Sequence, residues 1–270
     1  MSCASPRRLW ADMTSPEFDA LDKGRVIAVL PLAAVEQHGP HLPVSVDACI
    51  NAGILDRAID LLPDDLPVLR LPCLEIGASS EHLAFPGTLS LDPETAMRCW
   101  LDTAGSVARA GFRKLVLFNS HGGNKAAMEI VARELRVRHG MLAVAVSWFD
   151  FGVPDGLFDT AELRHGIHGG AVETSMMLHL RPDLVRKDRL ASFPSRAAAL
   201  EGEERHLVRD GRIRFAWMAQ DLNPQGACGD ARAASAESGA RLVEHAAQGL
   251  VGLLKEVDRM EPPAPSDDRL

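Results

Sequence analysis

Short apolar runs alternate along the chain with longer amphipathic stretches, and this alternation points to the architecture. Residues 25–32, RVIAVLPL, form a β-branched apolar run that reads as a buried strand, with Pro31 expected to end it. Gly39, Pro40 and Pro43 turn the next dozen residues into a loop. DACINAGILDRAIDLL then carries helical periodicity, with Ser45 or Asp47 as its N-cap. PVLRLPCLEIG, from Pro67 to Gly77, reads as a second strand interrupted by Pro72. After the loop ASSEHLAFPGTLS, Asp92-Pro93-Glu94 opens a helix as N-cap, first helical proline and first-turn acid. Gly111 closes that helix.

KLVLFN, residues 114–119, is the clearest strand; SHGGN turns the chain into the helical KAAMEIVARELRVRHG, and LAVAVSW, residues 142–148, is the fourth strand. Strands separated by helical segments of a dozen or more residues are the signature of parallel βαβ units, hence of an α/β fold. Phe149 to Gly170 reads as a long loop, and AVETSMMLHL as a short helix stopped before Pro182. Residues 183–225 receive no role, although RIRFAWMAQDL is a candidate strand and NPQGACGD a turn. A last amphipathic helix is expected over residues 231–257, before the polar, Pro-rich EPPAPSDDRL. No repeat or linker divides the chain, so residues 1–260 read as a single domain and 261–270 as a frayed tail.

Composition narrows the function classes. Hydrophobic residues make up 46% of the 270 and charged residues 24%, as in ordinary globular proteins. With 29 basic and 37 acidic residues the net charge is −8, which argues against a nucleic-acid partner. No apolar run approaches the ~18 residues that a membrane span needs. MSCASPRRLWADM lacks the apolar centre of a signal peptide. The five scattered cysteines read as reduced thiols, so a cytoplasmic protein is expected.

Ligands of parallel α/β sheets sit beyond the carboxyl ends of the strands. Here those positions are rich in metal-ligating residue types. Glu36, His38, His41 and Asp47 follow the first strand; Glu81 and His82 the second; His121 and Asn124 the third. Trp148, Asp150, His165, His168 and Glu173 lie beyond the fourth. On an extended segment Glu36 and His38, two apart, project to one side, and Gly122-Gly123 allows close backbone approach beside His121. Carboxylates with imidazoles suit zinc, manganese or iron. Each residue alone also has a plain structural reading. Glu36 fits a solvated loop acid, Asp47 an N-cap, His121 a hydrogen bond to a loop carbonyl and Glu173 a helix-dipole partner. The joint placement after several strands is what favours a metal site.

PLAAVEQHGPHLPVSVD, GASSEHLAFPGTLS, FNSHGGN and HGGAVETSMML closely resemble, in order, four blocks of the creatininase (creatinine amidohydrolase) family. They span Pro31 to Leu178, and NPQGACGD is a weaker further match. The resemblance implies a three-layer α/β/α domain with a mainly parallel sheet, two divalent metal ions per chain (zinc, manganese or iron) and a homohexamer. Carried over, Glu36, Asp47 and His121 match the ligands of one ion; His38 and Asp47 match ligands of the second, with Asp47 bridging. Where creatininase has a second-site glutamate two residues after the histidine, this chain has Gly123, and Glu173 is the candidate replacement. His168 matches a catalytic histidine, with Glu173 expected to share in the catalysis. His82, Asn124 and Trp148 are candidates to contact substrate. Ile167 and Arg164 stand where creatininase has a glutamate and a tryptophan. A metal-dependent amidohydrolase acting on a small amide or lactam other than creatinine is therefore expected. A creatininase-like peptidase or deformylase and a non-catalytic metal-bound module are the alternatives.

Overall fold

The computed structural model describes residues 8–203 and 215–262. Four strands, β1 (Ile27–Leu32), β2 (Val68–Arg70), β3 (Lys114–Asn119) and β4 (Leu142–Ser147), form one sheet in the order β2-β1-β3-β4. All three pairings are parallel, and Leu32 at the end of β1 lies opposite Asn119 at the end of β3. The helices are α1 (Ser15–Asp19), α2 (Val46–Leu61), α3 (Pro93–Arg109), α4 (Lys125–His139), α5 (Thr160–His165), α6 (Ala171–Leu180), α7 (Arg196–Glu203), α8 (Ala219–Leu222) and α9 (Ala236–Arg259). A two-residue antiparallel ribbon joins β5 (Ser192–Phe193) to β6 (Gly229–Asp230).

The period-2 geometry of the strands divides the core into two layers. Ile27, Val29, Val116 and Phe118 pack with α2, α6 and α9 on one face. Ala28, Leu30, Leu32, Leu115 and Leu117 pack with α3 and α4 on the other. Because both faces are covered, β1 and β3 are buried throughout and read as continuous apolar runs. This is the expected three-layer α/β/α arrangement.

Several boundaries differ from the sequence reading. β1 runs through Pro31 to Leu32. Pairing of β1 with β2 stops at Val29–Arg70, and beyond it the Pro31 carbonyl simply accepts from the Leu74 N–H, so the missing proline N–H breaks no ladder. β2 spans three residues, not the whole of 67–77, since Pro72 halts it; one bridge, Leu32 to Leu74, resumes the pairing. The expected loop from Phe149 to Gly170 contains α5, capped by the Asp159 carboxylate accepting from the Glu162 N–H. In RIRFAWMAQDL the described part holds the helix α8; residues 212–214 lie outside the described residues. The final helix begins at Ala236 after a short 3-10 turn. In the tail and the N-terminal segment, residues 263–270 and 1–7 lie outside the described residues. No described helix is long and apolar enough to cross a membrane.

Candidate metal centre

β1 is the strand at which the chain reverses direction across the sheet. It connects first to β2 on one side and then to β3 on the other. Such a switch point opens a crevice at the carboxyl ends of the two central strands. Glu36 and His38 follow β1 there and His121 follows β3. α2 starts beside them, so Asp47 in its first turn faces the same crevice. Asn51, four residues and about one turn along α2, donates from its amide to the Leu32 and Phe118 carbonyls and to the Ser120 hydroxyl. That side chain locks the start of α2 onto both strand ends and so sets the height of Asp47.

The cluster is buried: Glu36 is 1% exposed, His38 0%, Asp47 2% and His121 3%. His121 Nδ1 lies 3.1 Å from Glu36 Oε2 and 3.6 Å from Asp47 Oδ2. His38 Nε2 lies 3.6 Å from Asp47 Oδ1, 3.8 Å from Glu173 Oε2 and 4.0 Å from Glu36 Oε1. Asp47 thus turns one oxygen to each imidazole, and the expected N-cap role passes to Ser45, which occupies the cap position without a side-chain cap bond.

Two backbone carbonyls fix what these rings present. His38 Nδ1–H donates to the Glu36 carbonyl at 2.9 Å, and His121 Nε2–H to the Ala78 carbonyl at 3.0 Å. In the neutral ring the opposite nitrogen, which faces the carboxylates, is then bare. Glu36 Oε2, His38 Nε2 and Asp47 Oδ2 form no hydrogen bond although they are buried. Each polar atom left so costs about 1–3 kcal/mol, and lone pairs facing lone pairs require positive charge between them. The protonation preferences report the same demand. Burial alone would lower both rings, but Asp47, Glu173 and Glu36 raise His38 to about 9. Glu36, Asp47 and Glu81 likewise raise His121 to about 10. Burial raises the Glu173 carboxyl to about 7, against the pull of His38. The donor set, carboxylate oxygens and imidazole nitrogens within a few ångströms, fits a divalent first-row cation. Ligand atoms of His38, Asp47 and Glu173, of Glu36, His38 and His168, and of Glu36, Glu81 and His121 lie within 4.8 Å of one another in each group.

His168 enters from beyond the sheet. Its Nε2–H donates to the Gln37 carbonyl at 2.6 Å and its Nδ1 lies 3.7 Å from Glu36 Oε1. Its ring stacks between those of His38 and His82, with centroids 4.1 and 4.3 Å away. Burial and the neighbouring His38 and His82 hold it well below the usual histidine range. Burial also lowers His82 to about 4. The loop carrying His168 is braced by Glu162, whose carboxylate accepts from Ala171 N–H at 2.5 Å and Asp230 N–H at 2.8 Å. Gly166, Gly170 and Gly229 leave room for that carboxylate; an added Cβ at each would lie 2.2, 2.2 and 2.7 Å from Glu162 Oε1.

Three sequence expectations change here. Asn124 is fully buried, and its amide is spent on the Ala33 carbonyl, Asn119 Oδ1 and the Ala78 N–H. It steadies the segment that holds His121 and offers nothing to a substrate. Trp148, 4% exposed, belongs to the hydrophobic core and meets Phe149 edge-on, so it is no open apolar wall in this structure. His82 directs its Nε2 at Glu36 Oε1, 3.4 Å away, toward the cluster and away from solvent. His41 stays out of the cluster, hydrogen-bonded to Thr174 and stacked on Phe193. Gln37, Asn51, Asn119 and Glu162 went unread. Asn51 alone had a legible signal, its spacing from Asp47. Glu81, by contrast, reaches His121 Nε2 at 3.5 Å and fills the space beside Gly123, where a Cβ would lie 2.4 Å from both atoms.

A profile of the family described as creatininase, creatinine amidohydrolase, matches residues 11–254. The chain belongs to the creatininase family. It is 30% identical to the creatinine amidohydrolase of Pseudomonas putida over 262 residues, which span 91% of this chain and 95% of that protein. It is 29% identical to the mycofactocin precursor peptide peptidase of Mycolicibacterium smegmatis over 85% of this chain and 84% of that one. A mutant creatininase of Zn–Zn type superposes at a TM-score of 0.74 with 27% identity, over 94% of this chain and 100% of that one. Family membership places the chain among creatininase-like hydrolases and makes its α/β/α fold a creatininase fold.

Proposed function

We propose that this creatininase-family chain hydrolyses a C–N bond of a small amide or lactam at a site for two divalent cations. Glu36, Asp47 and His121 would hold one cation and His38, Asp47 and Glu173 the other, with Asp47 shared. The observation that carries this reading is the Asp47 carboxylate set between two buried imidazole nitrogens whose opposite nitrogens are anchored on backbone carbonyls, so that a proton or a cation must fill each gap. A cation in such a pocket brings the pKa of a bound water to about 7 and polarises a carbonyl.

The chain's own residues then supply the proton traffic. His168 Nδ1 is free to take a proton because Nε2–H is anchored on the Gln37 carbonyl. The stack with His38 and His82 holds the ring in plane, so the proton can pass to the leaving nitrogen without reorientation. Glu173, tied to the Gly169 N–H at 2.5 Å, keeps the second pocket in register with that loop. Ile167 and Arg164, at positions of creatinine contacts, support a substrate other than creatinine. The peptidase relative supports a second reading in which the amide belongs to a short peptide. Cys49, Cys73 and Cys99 are free thiols, which supports placement in the reducing cytoplasm, and the homohexamer implied by the resemblance is testable by light scattering.

The deciding experiment loads the purified protein with zinc, counts metal per chain, and screens creatinine, other lactams, formamides and short peptides for amine release. Turnover of one class, abolished by chelation and by His168→Ala, is expected. Absence of bound metal, or no turnover of any class, overturns the proposal. Turnover of creatinine at ordinary enzymatic rates overturns its substrate part.

A further inference from the structure

Gln37 lies between two proposed ligands, yet its side chain turns away from them into a cradle of fixed polarity. Its Oε1 accepts from the Gly39 N–H at 2.9 Å, which makes the opposite atom the amide nitrogen. That nitrogen donates to the Gly226 carbonyl at 2.8 Å, meets His82 Nδ1 at 2.8 Å and lies 3.3 Å from His168 Nε2, whose own N–H is engaged by the Gln37 carbonyl. The cradle is tight: Gly226 has a φ of +82°, and a Cβ there would lie 2.2 Å from Gln37 Oε1. An amide NH2 can only donate. His82 Nδ1 must therefore carry a lone pair, and the ring proton sits on Nε2, which points at Glu36 Oε1 from 3.4 Å.

His82 is thereby set apart from its three neighbours. His38, His121 and His168 each turn a bare nitrogen to the carboxylates, whereas His82 turns an N–H. That N–H faces Glu36 Oε1 at ion-pair distance, while Oε2 is directed at His121 Nδ1, 3.1 Å away. Ligating carboxylates are commonly oriented by donors outside the metal's own ligands, and losing one weakens metal binding by roughly 10–100-fold.

We infer that Gln37 is a positioning residue: through the tautomer it imposes on His82 it aims the Glu36 carboxylate into the pocket shared with Asp47 and His121. This rests on the hydrolase reading of the site, and it assigns His82 to Glu36 and away from the substrate. Gln37→Glu keeps the side-chain shape but presents an acceptor where Gln37 donates, so it reverses the His82 ring.

The test is magic-angle-spinning NMR of zinc-loaded, 15N-histidine-labelled protein, with His82 assigned by difference against His82→Asn. A protonated Nε2 in the natural protein and a protonated Nδ1 in Gln37→Glu are expected. Zinc titration of Gln37→Glu, His82→Ala and the double variant should show losses of about 10–100-fold that do not add. A merely structural role would leave the tautomer unmoved and the losses additive, and either result overturns the inference. Should Gln37→Glu fail to fold, Gln37→Met removes the donor at similar volume and enters the same cycle, with a mixed His82 tautomer expected. If the natural protein takes up no zinc, the hydrolase reading fails, while the His82 tautomer still decides whether Gln37 sets it.

Discussion

The candidate site has an inner arm and an outer arm, and they are held by different means. Glu36, His38, Asp47 and His121 form the inner arm. They stand at the ends of β1 and β3 and in the first turn of α2, and bonds to the central strands and the turns at their ends secure them. His38 is tied to the Glu36 carbonyl, and the His121 N–H and carbonyl to the Asn119 side chain. His168 and Glu173 form the outer arm. They stand beyond the sheet and depend on partners far along the chain. These are the Glu162 carboxylate, the paired backbones of His168 and Cys228, and the packing of α6 on α9. The inner arm shares the stability of the central sheet, whereas the outer arm shares that of the packed α6–α9 pair.

The sharpest way to break this division is Asp47→Ala, which removes the carboxylate common to both pockets. Loss of both cations and of all hydrolysis is expected, read by elemental analysis and amine release; full metal content with full activity refutes the bridging role. Glu173→Gln strikes the outer arm only. Metal should fall from two ions to one per chain while the fold persists, and a count that stays at two means Glu173 does not complete the second pocket. Glu162→Gln acts further out, since an amide can accept only one of the two N–H groups that the carboxylate accepts. Affinity for the second zinc should fall by roughly 10–100-fold while the first is unchanged, so equal losses in a zinc titration would erase the distinction between the arms. The smallest effect is expected from Gly239→Ala at the α6–α9 contact, where a Cβ would lie 1.9 Å from the Ser175 carbonyl. Forced separation of the helices costs about 1–3 kcal/mol, measurable as a lower midpoint in denaturant, and an unchanged midpoint shows that α9 yields without strain.

The same division explains what the amino-acid sequence disclosed. β3, α3, α4 and α6 were readable because periodicity, an N-cap at Asp92 and glycines at 111 and 140 are local signals. Glu36, His38, Asp47 and His121 were readable because the strand-end rule places them without knowledge of distant contacts. α5 was missed although its Asp159 cap is local, because six residues carry too little periodicity and its Glu162 carboxylate serves partners at residues 171 and 230. Asn124 and Trp148 were assigned to substrate on position alone; whether a side chain is already satisfied or packed into the core depends on segments that sequence proximity does not reveal. Gln37 was overlooked for a related reason, since its importance lies in which way an amide points.

Glu81 occupies the room that a side chain at position 123 would need. A glutamate there would drive its first carbon into Glu81, His121 and the Ala78 carbonyl together, so Glu81 would have to withdraw and the turn to shift. The two positions are therefore epistatic. On the proposed ligand set, a lineage that carries its second-pocket acid on α6 is held to glycine in the turn after β3, because a side chain introduced there first is penalised.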